Sequence, residues 1–442
     1  MPEDQSRVIR VYRQAPNQRK ISSEFIGTSS YIKRRSAINS TIAFAVGIAF
    51  VSILFGLIEV GSSSSTIFPW KQNSAVSQFS ITLLWSSAQL FRSLAGDNDI
   101  FGHIEHLCWS LWESMDVPKQ KNISSLLNLP TLKFNCFEKT SNLSTNCIEW
   151  SHLENNNGFD LSKPLLIPKI WDLQSNISHT TLNPISTEDL MEAPLGGLNI
   201  KYFTDASKRQ ALKPDNIAPL RDIVYNITKK NGTQKIGTQV PVERFPELIS
   251  RVAPTQIVTR LFGNRFTPEN LKRGLFGIPA WTTVPIFLAR GLDQVDDSGY
   301  SINTTTLSLP SMSIRTELHC EPIGNIALQL QGRKLWTLVD PENWNRLRPG
   351  VSKHGRAFFY SALDTSLLIK SSIPYYQVIT AEGDALWIPP WTWHRVDYLP
   401  DTVSLAASLF HFRPWEFVKN QPLFAFLLIP NLIKELVGSK TE

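Results

Sequence analysis

Hydrophobic and polar positions divide the chain into stretches of different character. The most uniform runs from Thr41 to Val60, TIAFAVGIAFVSILFGLIEV, whose only charge is Glu59 near its end. At about 1.5 Å per residue it matches the roughly 30 Å hydrocarbon core of a bilayer, which predicts a single transmembrane helix. Beyond a Ser-rich passage, Ile81 to Leu94 is apolar enough for a helix docked on the body, and Trp109 and Trp112 are spaced as a packing stripe. From Lys119 to Asn157 the chain is rich in Asn, Ser and Lys, and exposed loops are expected. Around Pro164 the pattern changes. Leu165 to Pro168, Leu198 to Phe203, Ile223 to Thr228 and Ile236 to Val242 are short apolar or β-branched runs set between Gly, Pro and Asn clusters, and they read as strands. Val242 to Val252 and Thr267 to Leu275 read as short helices, the second opening on Thr267-Pro268-Glu269, a cap followed by a first-turn proline. After Gly277 short strands with turn chemistry follow one another continuously, which predicts an all-β barrel or jelly roll rather than a parallel α/β sheet. The end is apolar from Pro422 to Ile433 but interrupted by Pro430. It is too short to span a bilayer, so a helix packed on the barrel or on a membrane surface is expected, with support of a homodimer left open.

The expected architecture is therefore mainly β with helices: a jelly-roll body preceded by an α/β N-terminal region and a single transmembrane helix. Its divisions are a basic tail (1–38), the anchor (39–60), a stem and loop region (61–160), the body (161–416) and a C-terminal apolar helix (417–442).

The 442 residues carry a formal net charge of +6, with a pI near 9.0. That charge is concentrated. Residues 1–38 hold Arg7, Arg10, Arg13, Arg19, Lys20, Lys33, Arg34 and Arg35 against Glu3, Asp4 and Glu24, so the tail accounts for +5 and everything after it for +1. The body has no basic surplus to drive phosphate binding, and nucleic acid is not an expected partner. Lys33-Arg34-Arg35 sit just before the apolar stretch, so the positive-inside rule keeps the tail cytosolic and turns the body toward the lumen of the endoplasmic reticulum or Golgi. A cleaved signal peptide, with Gly61 and Ser62–Ser65 as small residues for cleavage, is the competing reading. Triplets at Asn122, Asn142, Asn176, Asn226, Asn231 and Asn303 fit the N-glycosylation pattern and mildly favour the lumenal topology. Cys136 and Cys147 are spaced either for a small disulfide loop or as two free thiols.

The chemistry concentrates between Thr316 and Asp340. His319-Cys320-Glu321 is a His-x-Glu triplet, and alternation along a strand puts its imidazole and carboxylate on one face, about 7 Å of backbone apart, with Cys320 turned away. Two ligands hold a catalytic metal poorly. A third stands at His394, after Gly383-Asp384, the apolar run Ala385 to Ile388 and the break Pro389-Pro390. Two histidines and one carboxylate leave open positions on an octahedral metal, the ligand set of non-haem Fe(II) oxygenases. His103 and His106 lack a third ligand on their helix face and read as surface residues, as His354 and His411 read as ordinary polar residues. Trp391 and Trp393 read as rim packing.

Thr316 to Asp340 and Gly383 to Phe410 together resemble the two signature blocks of the JmjC, or cupin-like, 2-oxoglutarate oxygenases, a likeness that covers about 277–413 well and 160–276 loosely. The resemblance implies His319, Glu321 and His394 as iron ligands. It also implies Thr316 and Lys334 holding the distal carboxylate of the co-substrate 2-oxoglutarate, Asn325 lining the same pocket, and Ser408 beside it. The expected activity is dioxygen-dependent hydroxylation of protein or peptide side chains. The middle ligand is Glu where small protein hydroxylases usually carry Asp; relatives with Glu are chiefly demethylases, but a lumenal body points away from histones. The alternative is a membrane-tethered, non-catalytic cupin-like binding protein.

Overall fold

The computed structural model describes residues 80–88, 99–114, 126–127, 129, 162–171, 183–206, 214–229, 232–254, 282–292, 314–351, 356–363, 368, 371–400 and 402–436. All belong to one compact unit, Phe50–Glu442. The basic tail, the anchor Thr41–Val60, Cys136, Cys147, the helix expected at Thr267–Leu275, His354 and every glycosylation triplet asparagine except Asn226 lie outside them. Among the described residues no helix is long and apolar enough to cross a membrane.

The body is built from strands β1 (Leu126–Leu127), β2 (Leu165–Ile167), β3 (Asn199–Tyr202), β4 (Asn216–Pro219), β5 (Lys235–Thr238), β6 (Thr282–Thr283), β7 (Ile286–Arg290), β8 (Arg315–Cys320), β9 (Gly324–Gln331), β10 (Lys334–Val339), β11 (Pro349–Val351), β12 (Phe359–Ser361), β13 (Tyr375–Thr380), β14 (Ala385–Ile388), β15 (Trp393–Tyr398) and β16 (Val403–His411). Two large sheets face each other, one ordered β1-β13-β10-β15-β8-β12-β11 and the other β2-β14-β9-β16-β7-β5, with β6 paired to β16. At their centres, β13-β10-β15-β8 and β14-β9-β16-β7 are antiparallel fours. The chain alternates between the sheets through β7, β8, β9 and β10 and again through β13, β14, β15 and β16. That winding is a jelly roll.

Period-two alternation gives each sheet an inner and an outer face. On the second sheet the outer face carries Ile286, Leu288, Ile326, Leu328, Leu405, Ala407 and Leu409, covered by the N-terminal α/β region. Within that region β3 and β4 form a hairpin, and the segment from Val240 to Val252 is three short helical pieces broken around Phe245-Pro246 rather than one helix.

Ile223 to Thr228, expected to be a strand, lies instead in a helix, Leu220–Thr228. Leu220, Ile223, Val224 and Ile227 fall at i, i+3, i+4 and i+7 and are all buried, so one helix face is apolar while Arg221, Asp222 and Tyr225 are exposed. The β-branched composition favoured a strand, but burial along a 3.6-residue period decided the outcome, each buried Ile or Val contributing about 1.5–3 kcal/mol.

The first sheet is backed by the C-terminal helices Pro414–Asn420 and Pro422–Leu436. Phe424 stacks on Phe359 with centroids 4.0 Å apart, and it also meets Trp391 and Trp393 edge-on. The expected packing of this apolar end on the barrel is met; Phe426, Val418 and Ile429 remain exposed on its far side. Residues 80–88 are helical and bury Ile81, Leu84 and Trp85, with Trp85 against Trp109 and Tyr360.

Candidate metal centre and anion pocket

β8 and β15 lie side by side with His319 directly opposite His394. Their rings are 4.2 Å apart between centroids. Glu321 follows the end of β8, and ligand atoms of His319, Glu321 and His394 all lie within 4.8 Å of one another. Each imidazole is fixed by its own backbone: Nδ1 of His319 lies 2.7 Å from the Glu317 carbonyl and Nδ1 of His394 lies 3.0 Å from that of Thr392. A carbonyl only accepts, so both Nδ1 atoms carry the proton and both Nε2 lone pairs are free for a metal. Burial, and for His319 the neighbouring His394, hold both rings well below the ordinary imidazole range, His394 at about 4. Neutral imidazole is the form that ligates. Among the described residues these three are the group that can hold a metal ion, and the set of two neutral nitrogens and one carboxylate fits an Fe(II)-type site.

The alternation rule alone would have put Thr316 and His319, three apart, on opposite faces. A register shift between β15 and β8 corrects this: His394 pairs with His319, but Val396, two residues on, pairs with Thr316. Thr316 thereby shares the inner face with His319, while Leu318 and Cys320 turn outward into the cluster with Trp391 and Trp393.

Trp391, with φ of 69°, is in the left-handed region, which a bulky side chain occupies at a cost of about 1–3 kcal/mol. Its backbone N–H donates to the Glu321 carbonyl at 2.8 Å and its indole N–H to the Phe417 carbonyl at 2.9 Å, so it ties the Glu321 turn to the approach of His394. Trp391 and Trp393 are both fully buried behind the site rather than at its rim.

Lys334 opens β10, paired with Tyr398 of β15, where Leu338 pairs with His394. Four residues of strand separate the two positions, about 13 Å. The residue is 2% exposed, and its ammonium group faces the rings of Tyr398, Phe287 and Trp336 at 4.9, 5.6 and 6.0 Å. Among the described residues no carboxylate pairs with it, and burial together with Lys235 lowers its pKa to about 7. Lys334 follows Gly332-Arg333, the corner where the chain leaves β9 of one sheet for β10 of the other.

Asn325 and Ser408 stand on the inner face of the second sheet, Asn325 opposite Phe410 and Ser408 opposite Ala327. Asn325 is 3% exposed, and its Oδ1 has no hydrogen-bond partner among the described residues. The structure thus brings all seven residues singled out in the sequence into one barrel interior.

Two features were not singled out. Gln329 donates through Nε2 to Ser404 Oγ at 2.8 Å and to the Gln331 carbonyl at 2.7 Å, and accepts from Thr380, whose hydroxyl in turn accepts from the Trp336 indole. This satisfied network closes the barrel on the side where Lys334 starts. The other is Lys235, first residue of β5, 8% exposed, which donates to Thr316 Oγ1 and to the Arg315 carbonyl. A lone lysine opening a short strand carries no motif; only its apolar followers signal that its side chain lies at a buried edge. His103 and His106 are exposed as expected, whereas His411 is buried on β16 against Trp387.

A two-sheet jelly roll with a two-histidine, one-carboxylate cluster between its sheets is a cupin-type arrangement. Residues 295–415 match the cupin-like domain family. Similar curated proteins are HSPB1-associated protein 1 of Rattus norvegicus and of Mus musculus, each 30% identical over 109 residues, 23% of this chain and of the relative. JmjC domain-containing protein D of Dictyostelium discoideum is 32% identical over 97 residues, 20% of this chain and 21% of the relative. The chain thus matches about a quarter of the length of the first of these relatives.

Proposed function

We propose that the body is an Fe(II)- and 2-oxoglutarate-dependent oxygenase that hydroxylates protein side chains. One observation carries this reading: a two-histidine, one-carboxylate donor set and a buried ammonium group without a carboxylate partner stand on the inner face of the same barrel. A bound iron would supply the oxygen-activating redox chemistry that no side chain possesses.

His319, Glu321 and His394 would hold the metal, and their carbonyl-fixed Nδ1–H groups orient the two rings before it arrives. Lys334 would take the far carboxylate of the co-substrate in a charge-assisted hydrogen bond. Thr316 accepts a hydrogen bond from Lys235, so its own hydroxyl proton is free to donate to the same carboxylate. Asn325 and Ser408 offer polar groups along the way. Phe287, Trp336, Tyr398 and the Gln329 network exclude water from the anchored end, while His319 and Glu321, only partly buried, leave the metal end approachable. A polypeptide substrate is supported by that approachable end and by the name of the rat and mouse relatives, which describes them as associated with another protein. The lumenal setting rests on the apolar run Thr41–Val60 and its basic flank alone.

The test is metal content and 2-oxoglutarate turnover to succinate by the full chain, supplied with extracts of secretory proteins and read by mass spectrometry for the added oxygen. Wild type should bind iron and turn over; His319→Ala and His394→Ala should do neither. Iron and 2-oxoglutarate binding without turnover would leave a binding protein, and absence of both would end the reading.

A further inference from the structure

The barrel interior holds a second buried cation. Lys235 comes from β5, an edge strand of the second sheet, where it pairs with Ala289 of β7 and therefore points inward as Ala289 does. Its ammonium group lies 5.7 Å from the ring centre of Tyr398, the same ring that Lys334 meets at 4.9 Å, and 5.7 Å from that of Phe203. The two lysines thus arrive from opposite sheets at one aromatic wall. They are close enough for Lys235 to make Lys334 harder to protonate.

Among the described residues the anionic group that acts on Lys235 is Glu317, and that carboxylate is already bound by Arg315 at 2.7 Å. Lys235 donates to a hydroxyl and a carbonyl, those of Thr316 and Arg315. Two ammonium groups desolvated at one ring, with no carboxylate paired to either among the described residues, repel each other and forgo hydration, an arrangement that persists only when something gained elsewhere offsets its cost. An anion placed between them would remove both penalties.

We propose that Lys235 is a second anchor for the distal carboxylate, so that the pocket clamps the far end of a 2-oxo diacid between two lysines and selects it over 2-oxo monoacids. This rests on the 2-oxoglutarate reading of the same site. Lys235 acts in two ways: directly, through its charge, and through Thr316, whose hydroxyl it polarises by donating to Oγ1, leaving the hydroxyl hydrogen directed at the ligand. Its charge acts on His319 only after burial, His394 and the Glu317 carbonyl, and it supplies no ligand atom, so its loss should leave metal binding largely intact.

The test is a binding titration of the full chain loaded with Mn(II) in place of iron, with 2-oxoglutarate and with 2-oxovalerate, which has a methyl group where the diacid has its far carboxylate. Lys235→Gln should weaken 2-oxoglutarate about ten- to a hundredfold, the range of one hydrogen bond to a charged group, and leave 2-oxovalerate and Mn(II) unchanged. Lys235→Arg, which keeps the charge, should stay within a few-fold of wild type. Glutarate, which lacks the keto oxygen and cannot chelate, should raise the melting temperature of metal-free wild type and not of Lys235→Gln. Equal 2-oxoglutarate affinity in wild type and Lys235→Gln would overturn the second anchor and leave the oxygenase reading standing. So would equal losses in Lys235→Gln and Lys235→Arg, since packing rather than charge would then be at work. If Lys235→Gln does not fold, the Lys235→Arg titration and the glutarate shift in wild type decide, and no shift there overturns the proposal. Absence of 2-oxoglutarate binding in wild type would remove both readings together.

Discussion

At the scale of single residues the centre is a set of groups held in forms that water would not favour. Lys334 is the clearest. In the ligand-free barrel its pKa is about 7 and that of Lys235 about 8, against an ordinary 10.5, with burial the main cause in both. The unfolded chain therefore binds more protons than the folded one from about pH 7 upward to the ordinary lysine range, and stability of the ligand-free protein should rise with pH across that interval. Affinity for a dicarboxylate should run the other way, because the anion needs the ammonium forms: it should fall as pH rises through 7 and 8. Of the titratable groups around the pair, Tyr398, whose burial pushes its hydroxyl pKa upward, and His319, whose burial keeps it neutral, stay in one state over that range and do not reverse the sign. Thermal melts at pH 7 and 9, with and without 2-oxoglutarate, check both slopes. For the same reason Lys334→Met should stabilise the ligand-free protein by about 0.5–2 kcal/mol while weakening 2-oxoglutarate at least about a hundredfold, a melt and a titration that must move in opposite directions.

At the scale of elements, legibility in the sequence followed the reach of each rule. The His-x-Glu face was legible because alternation along a strand is local, and Cys320 does turn away into the outer cluster. Thr316 was placed by resemblance, and strict alternation would have set it on the wrong face; the register shift opposite His394 and Val396 depends on two strands more than seventy residues apart and has no local signature. Ile223 to Thr228 was misread because four of its six residues, Ile223, Val224, Ile227 and Thr228, are β-branched, and only the register of Leu220 with Ile223, Val224 and Ile227 reveals the helix. The corner before β10 shows how an element positions chemistry. Gly332 has φ of 69°, and a Cβ there would lie 2.2 Å from the Val403 carbonyl oxygen. That oxygen is backbone of β16 and cannot yield cheaply. Gly332→Ala should therefore cost about 1–3 kcal/mol in stability and displace Lys334 at the head of β10, weakening 2-oxoglutarate while metal binding at the other end persists. A melt paired with separate metal and 2-oxoglutarate titrations distinguishes this from general unfolding.

At the scale of the molecule the barrel is held between two apolar layers, and they differ in what they support. The N-terminal region covers the second sheet and brings in Lys235, so it supplies part of the anion pocket. The C-terminal helices cover the first sheet directly behind both histidine strands: Phe424 stacks on Phe359 of β12, the neighbour of β8, and meets Trp391 and Trp393, which lead into His394. The apolar run of 422–433 announced that some surface would be covered, but which one depended on where Trp391 and Phe359 came to lie after folding. Phe424→Ala removes a fully buried ring from that contact and should destabilise the protein by about 3–5 kcal/mol. The position of the helix makes the loss specific. The backbone link from Trp391 to Glu321 and the left-handed turn at Trp391 are held from behind by this cluster. Below the melting temperature, metal affinity should therefore drop more in Phe424→Ala than in a variant of the N-terminal layer such as Ile223→Ala, chosen for similar destabilisation. Metal titrations of the two variants at equal distance below their melting temperatures make the comparison, and equal affinities would show that the C-terminal layer stabilises the barrel without shaping its metal end.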